Sequence, residues 1–143
     1  MSRFSIGVFV LIGGLGLVAA VQSVFDPVGV FAVLAPVAGV DFSALAAKDV
    51  ETAAGLSFLG RWVGTQLVGV DGITLVLALT LFRKGHPWAV RVMWYWPLMF
   101  VSHAVLYRPG TPLFYGQFVW LALSVVALLL AERSVRRLAV IAA

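Results

Sequence analysis

The chain has 143 residues, room for one domain, and is 62% hydrophobic and 11% charged, where an ordinary soluble domain carries about a quarter charged residues. A soluble fold of this size leaves too much surface exposed to hide so much apolar material, so the bilayer must be its solvent. The formal charge of +4 then marks a cytoplasmic face rather than a nucleic-acid surface, and the absence of cysteine excludes a disulfide framework and a thiolate metal site.

Asparagine is also absent, which removes any N-glycosylation acceptor. Eight arginines against two lysines, with abundant Ala, Val and Gly, suit a GC-rich bacterial genome and hence a bacterial inner membrane.

A bilayer core of about 30 Å needs about 20 apolar residues per helix. The first span is expected over residues 4–24. Its apolar run exceeds that of a secretory signal, so it reads as retained despite the loose cleavage pattern Val18-Ala19-Ala20. Gly14-x-Gly16-x-x-Ala19 inside it matches a dinucleotide fingerprint formally, but no strand precedes it, and close helix packing is the better reading. Residues 25–57 are too long for an idle connection. Val28 to Val40 is wholly apolar and bounded by Asp26 and Asp41, and its thirteen residues are too few to span. It reads as a re-entrant or interfacial segment, followed by a short helix capped by Ser43 and running through Ala47 towards Ala54. Together these form a lid, or equally a hairpin with nothing beneath it.

The second span is expected over 58–82. Asp71 lies in it, 11 residues before the inner end, which is about mid-bilayer. Gly60, Gly64, Asp71 and Ala78 fall on one stripe, so Asp71 faces packed protein and not lipid. It is either interhelical glue or a proton or ligand site. Arg61, beside Trp62, either snorkels outward or turns in towards a carboxylate such as Asp26.

The third span is expected over 88–107. Pro97 frees the Met93 carbonyl and predicts a kink, and Trp94 and Trp96 either line a cavity for a flat ligand or simply pack. His103 sits in its outer third. The fourth span is expected over 113–131. Gln22, Arg61, His103 and Gln117 then supply one polar group per helix at similar depth, which suits a polar-lined outer pocket and equally suits interhelical hydrogen bonding. His86 lies on the other side, so no metal site is evident, and no nucleotide, serine-hydrolase or zinc-protease motif occurs. Arg133, Arg136 and Arg137 form one basic face for anionic lipid head groups.

Orientation follows the basic residues. With the N-terminus inside, seven (Arg3, Arg83, Lys84, Arg91, Arg133, Arg136, Arg137) fall on the cytoplasmic side and three (Lys48, Arg61, Arg108) outside. The expectation is an all-α integral membrane four-helix bundle with both termini cytoplasmic and an extracytoplasmic segment between the first two helices.

Phe25-Asp26-Pro27, Gly60-Arg61-Trp62-Val63-Gly64 and Phe82-Arg83-Lys84-Gly85-His86-Pro87-Trp88-Ala89 carry a resemblance to small four-helix bacterial membrane proteins of the DoxX-like and related uncharacterised groups. The resemblance implies a four-helix membrane fold and, for some members, an accessory role beside quinone-linked oxidoreductases. It transfers no catalytic residue, and a thiol-redox role is out of reach without cysteine.

Three functions follow. The first is a non-catalytic protein that binds a lipophilic molecule such as a quinone or isoprenoid, or serves as an accessory subunit of a larger membrane complex. The second is a membrane enzyme acting on a lipid or isoprenoid, with Asp71 or His103 moving a proton; their depths differ by about 10 Å along the helices, which counts against direct pairing. The third is an oligomeric ion or proton transporter using Asp71. Membrane lipids are partners in each, and nucleic acid in none.

Overall fold

The computed structural model describes residues 1–38 and 41–141. Gly39 and Val40, the end of the expected re-entrant segment, lie outside the described residues. Among these, seven α-helices are found and no strand: α1 (Arg3–Phe25), α2 (Pro27–Leu34), α3 (Phe42–Lys48), α4 (Val50–Leu77), α5 (Pro87–Met93), α6 (Tyr95–Leu106) and α7 (Pro112–Ile141). One 3-10 turn, Ala35–Ala38, extends α2, and a π-helical turn, Ala78–Phe82, ends α4. Three helices are long and apolar enough to cross a membrane: Arg3–Phe25, Val50–Phe82 and Pro112–Arg137.

Aspartates set the helix boundaries of the segment between α1 and α4. Asp26 ends α1 and caps α2, its Oδ1 accepting the Gly29 N–H at 2.9 Å, with Pro27 preset for the first turn. Asp41 caps α3 by accepting the Ala44 N–H at 3.0 Å. Asp49 ends α3 and caps α4, accepting the Thr52 N–H at 2.9 Å and its hydroxyl at 2.7 Å. The cap expected at Ser43 is therefore Asp41, one residue outside the helix. The short helix stops at Lys48 instead of continuing towards Ala54, because Asp49 restarts the chain as α4 eight residues before the expected Phe58. The outer segment shrinks accordingly.

The Thr52 backbone and side-chain hydrogen bonds hold the Asp49 carboxyl below its ordinary range. A depressed folded-state value contributes stability that is present above the unfolded-state value and is lost as pH falls through the folded one. Amide exchange in the first turn of α4 is expected to lose protection below about pH 4, after correction for intrinsic rates. Asp49→Asn, which still caps, should remove that dependence.

The third expected span is interrupted. Pro97 supplies no N–H to Met93, and the chain responds by breaking at Trp94, whose N–H turns to the Arg91 carbonyl at 3.2 Å. The kink predicted from Pro97 thus becomes a boundary between α5 and α6. The last helix runs further than expected, carrying Arg133, Arg136 and Arg137 on continuous helix.

α1 lies at the centre, packed along α4 on one side and α7 on the other, while α6 packs on α7. The α1–α4 contact is close because glycines alternate across it. A Cβ on Gly64 would lie 2.8 Å from Ser23 Cβ and 3.0 Å from the Ala20 carbonyl, and one on Gly13 would lie 3.1 Å from the Leu75 nitrogen. Near the chain termini the bundle is solid. Phe9 meets Phe82 edge-to-face at 5.1 Å, and Ala78, Met93, Leu128 and Ala131 close the core around them. Towards the other end α6 stands away from the α1–α4 pair, and α2 folds over the gap.

Candidate functional site

The gap is a partly open cavity of about 390 Å³, within the size range of small-molecule sites. Three features of the sequence create it. On α1, Gly16, Ala19 and Ala20 are too small to fill the space. On α2, Val30, Val33 and Leu34 form an apolar roof. On α6 and at its C-terminal cap, Tyr95, Met99, His103 and Tyr107 recur every four residues and so line one wall, with Trp96 beside them.

Asp71 reaches this cavity from α4. It is 3% exposed, and its Oδ1 is buried without a hydrogen-bond partner among the described residues. The carboxylate occupies the room that a Gly16 side chain would take, since a Cβ there would lie 2.5 Å from Oδ1. An unpartnered buried oxygen in a low-dielectric setting is costly.

The aromatic wall is fixed from behind. Trp96 Nε1 donates to Thr74 Oγ1 at 3.2 Å, and Thr74 donates in turn to the Val70 carbonyl at 2.9 Å. Trp96, Phe100 and Trp120 form a series with ring centroids 6.0 and 6.4 Å apart, tying α6 to α7. His103 stacks on Tyr107 at 5.7 Å with an interplanar angle of 11°.

No protein-family model, curated protein or solved structure matches the chain.

Of the residues singled out from the sequence, Asp71, His103, Gln22 and Trp96 line this one cavity. The remaining three do not. Arg61 is exposed and outside the lining, and no Arg61–Asp26 ion pair forms among the described residues; the Asp26 carboxylate serves as the cap of α2. Ten residues separate Arg61 from Asp71, which turns the two side chains to different faces of α4. Gln117 is buried on α7, where its Nε2 donates to the Leu113 carbonyl at 3.3 Å and its Oε1 has no partner. Trp94 points to α7, donating from Nε1 to Glu132 Oε1 at 2.9 Å. Two residues apart, the indoles point to different sides of the chain, so the expected Trp94/Trp96 pair is divided. Of the four polar groups expected at similar depth, Gln22 and His103 thus line the cavity and Arg61 and Gln117 do not.

Ser23, Tyr95 and Tyr107 also line the cavity, and the four-residue spacing of Tyr95, Met99, His103 and Tyr107 in the sequence already places these four towards one side of the helix. Among the described residues no group of three His, Asp or Glu side chains gathers as a metal set. The cavity offers hydrogen bonding at its buried acid, stacking on its aromatic wall, and polar groups from Gln22, Ser23 and His103.

Proposed function

We propose that this chain is a non-catalytic bacterial inner-membrane protein that holds a lipophilic small molecule in the cavity between α1, α4 and α6, alone or as an accessory subunit of a larger membrane complex. In this reading α5 and α6 together make a fourth crossing, since their combined length of about 30 Å matches the bilayer core. Both termini then face the cytoplasm, and α2 and α3 lie at the outer surface, in keeping with the DoxX-like resemblance. The observation that carries the reading is the unpartnered Asp71 Oδ1 at the wall of a mainly apolar and aromatic cavity. An isoprenoid alcohol or the quinol form of a quinone would donate its hydroxyl to that oxygen, and a quinone carbonyl would accept from the protonated acid; the head would pack on Trp96, with its tail leaving between the helices towards lipid.

A second reading is favoured by one observation. Asp71 and His103 share the cavity despite their difference in depth, as a membrane enzyme moving a proton on a lipid or isoprenoid would require. The transport reading gains nothing, because Asp71 lies against α1 within a single chain.

Native mass spectrometry of the protein extracted with its own lipids, wild type against Asp71→Asn, separates these. A bound small molecule retained about tenfold or more better by wild type supports the binding reading. Recovery of two chemically different molecules, one from each protein, supports the enzyme. Equal retention, or no ligand on wild type, makes Asp71 structural and sinks both.

A further inference from the structure

The α4 face opposite Gly64, Asp71 and Ala78 is exposed among the described residues. Along it, Leu59, Trp62, Gln66, Gly69, Ile73 and Val76 recur at alternating spacings of three and four residues, the pattern of a helix–helix seam. All six are exposed, and the four large apolar ones are each at least half exposed. Lipid alone could cover such a face but for Gln66. Arg61 and Arg83 bracket a stretch of about 33 Å, close to the thickness of a bilayer core, and Gln66 lies about 7.5 Å inside it. Thr65 and Thr74 spend their hydroxyls on carbonyls of their own helix, those of Arg61 and Val70. The Gln66 amide makes no hydrogen bond among the described residues, and in hydrocarbon an unsatisfied amide is costly.

We propose that a second copy of this chain covers this face, with α4 packed against α4 and Gln66 hydrogen-bonded to Gln66 of the second copy. Two copies inserted in one orientation are related by a twofold axis along the membrane normal, which brings identical residues together at identical depth. A side-chain amide is both donor and acceptor and so is complementary to itself. Gly69, one turn below, meets nothing within 4 Å of an added Cβ, which leaves room for the second backbone to approach. A different protein would need its own polar group at this depth, whereas a second copy supplies one by symmetry. The pairing is independent of the ligand cavity, which opens on the other side of α4.

The cysteine-free sequence makes the test direct. Leu59→Cys, Ile73→Cys and, as reference on the exposed face of α7, Val119→Cys are introduced singly, oxidised in native membranes, and scored for a covalent dimer. The expected result is dimer at Leu59→Cys and Ile73→Cys and none at Val119→Cys. Adding Gln66→Leu to Ile73→Cys is expected to weaken association by about fivefold or more. Equal cross-linking at Val119→Cys, no dimer at the two seam positions, or indifference to Gln66→Leu would overturn the proposal. Membrane abundance of each variant, compared with wild type, shows that loss of dimer is not loss of the protein.

Discussion

Gly64→Ala is expected to destabilise the protein by about 1–3 kcal/mol, the usual penalty for overpacking a close contact. The substituent would sit 2.8 Å from Ser23 Cβ, 3.0 Å from the Ala20 carbonyl and 3.1 Å from the Val24 nitrogen. Two of those three atoms are backbone on α1, so neither can rotate aside; the helices must separate. Separation would also loosen the contact at Gly16, where the Asp71 carboxylate fills the missing side chain, so the lesion reaches the cavity through the same interface. Gly72→Ala provides the contrast. A Cβ there meets nothing within 4 Å, and Ala is the better helix former by about 1 kcal/mol. Thermal unfolding in detergent micelles should therefore rank Gly72→Ala at or above wild type, with Gly64→Ala well below and Gly64→Leu lower still. Equal stability of the two alanine variants would show that the α1–α4 contact is not the close one described.

Trp96→Ala should be the most damaging single change in the aromatic wall, and Trp94→Phe should be mild. Trp96 is 9% exposed, stacks towards Phe100, bonds Thr74 on α4 and faces the cavity. Truncating it removes packing and an interhelical bond together. Aromatic-to-Ala changes cost about 3–5 kcal/mol in soluble cores, and the cost here falls at the lower end because the separated helices also meet apolar solvent. Trp94→Phe keeps a ring and loses only the bond to Glu132, worth about 1 kcal/mol. The same pair of variants reads out the ligand. Retention of a bound molecule should fall with Trp96→Ala and survive Trp94→Phe. Equal losses from the two would mean that the cavity wall is not where the molecule binds.

Why neighbouring tryptophans differ so sharply bears on what is legible in a linear chain. Pro97 announced that a helix could not pass undisturbed, since a missing N–H is a local fact. How the chain would respond was not local. Two residues apart, the indoles point to different sides in any case, and which helix each one meets, α7 at Glu132 or α4 at Thr74, depended on the packing. The outer segment teaches a similar lesson at shorter range. Asp41, Asp49 and Asp26 each cap the helix that follows, and an Asp ahead of a helical run is a readable signal; Ser43 competed for the same role and lost by two residues.

The apolar character, the helical class and the inward-facing stripe of Gly60, Gly64, Asp71 and Ala78 were determined by the sequence itself, because composition and helical periodicity are properties of the chain alone. The meeting of Asp71 with His103, Gln22 and Trp96, and the exclusion of Arg61, Gln117 and Trp94, were decided only by tertiary structure. Residues on different helices meet through the rotation of each helix about its own axis and the gap left between them. Those depend on the small residues at the α1–α4 contact and the apolar roof of α2, each acting at a distance in sequence from the groups it brings together.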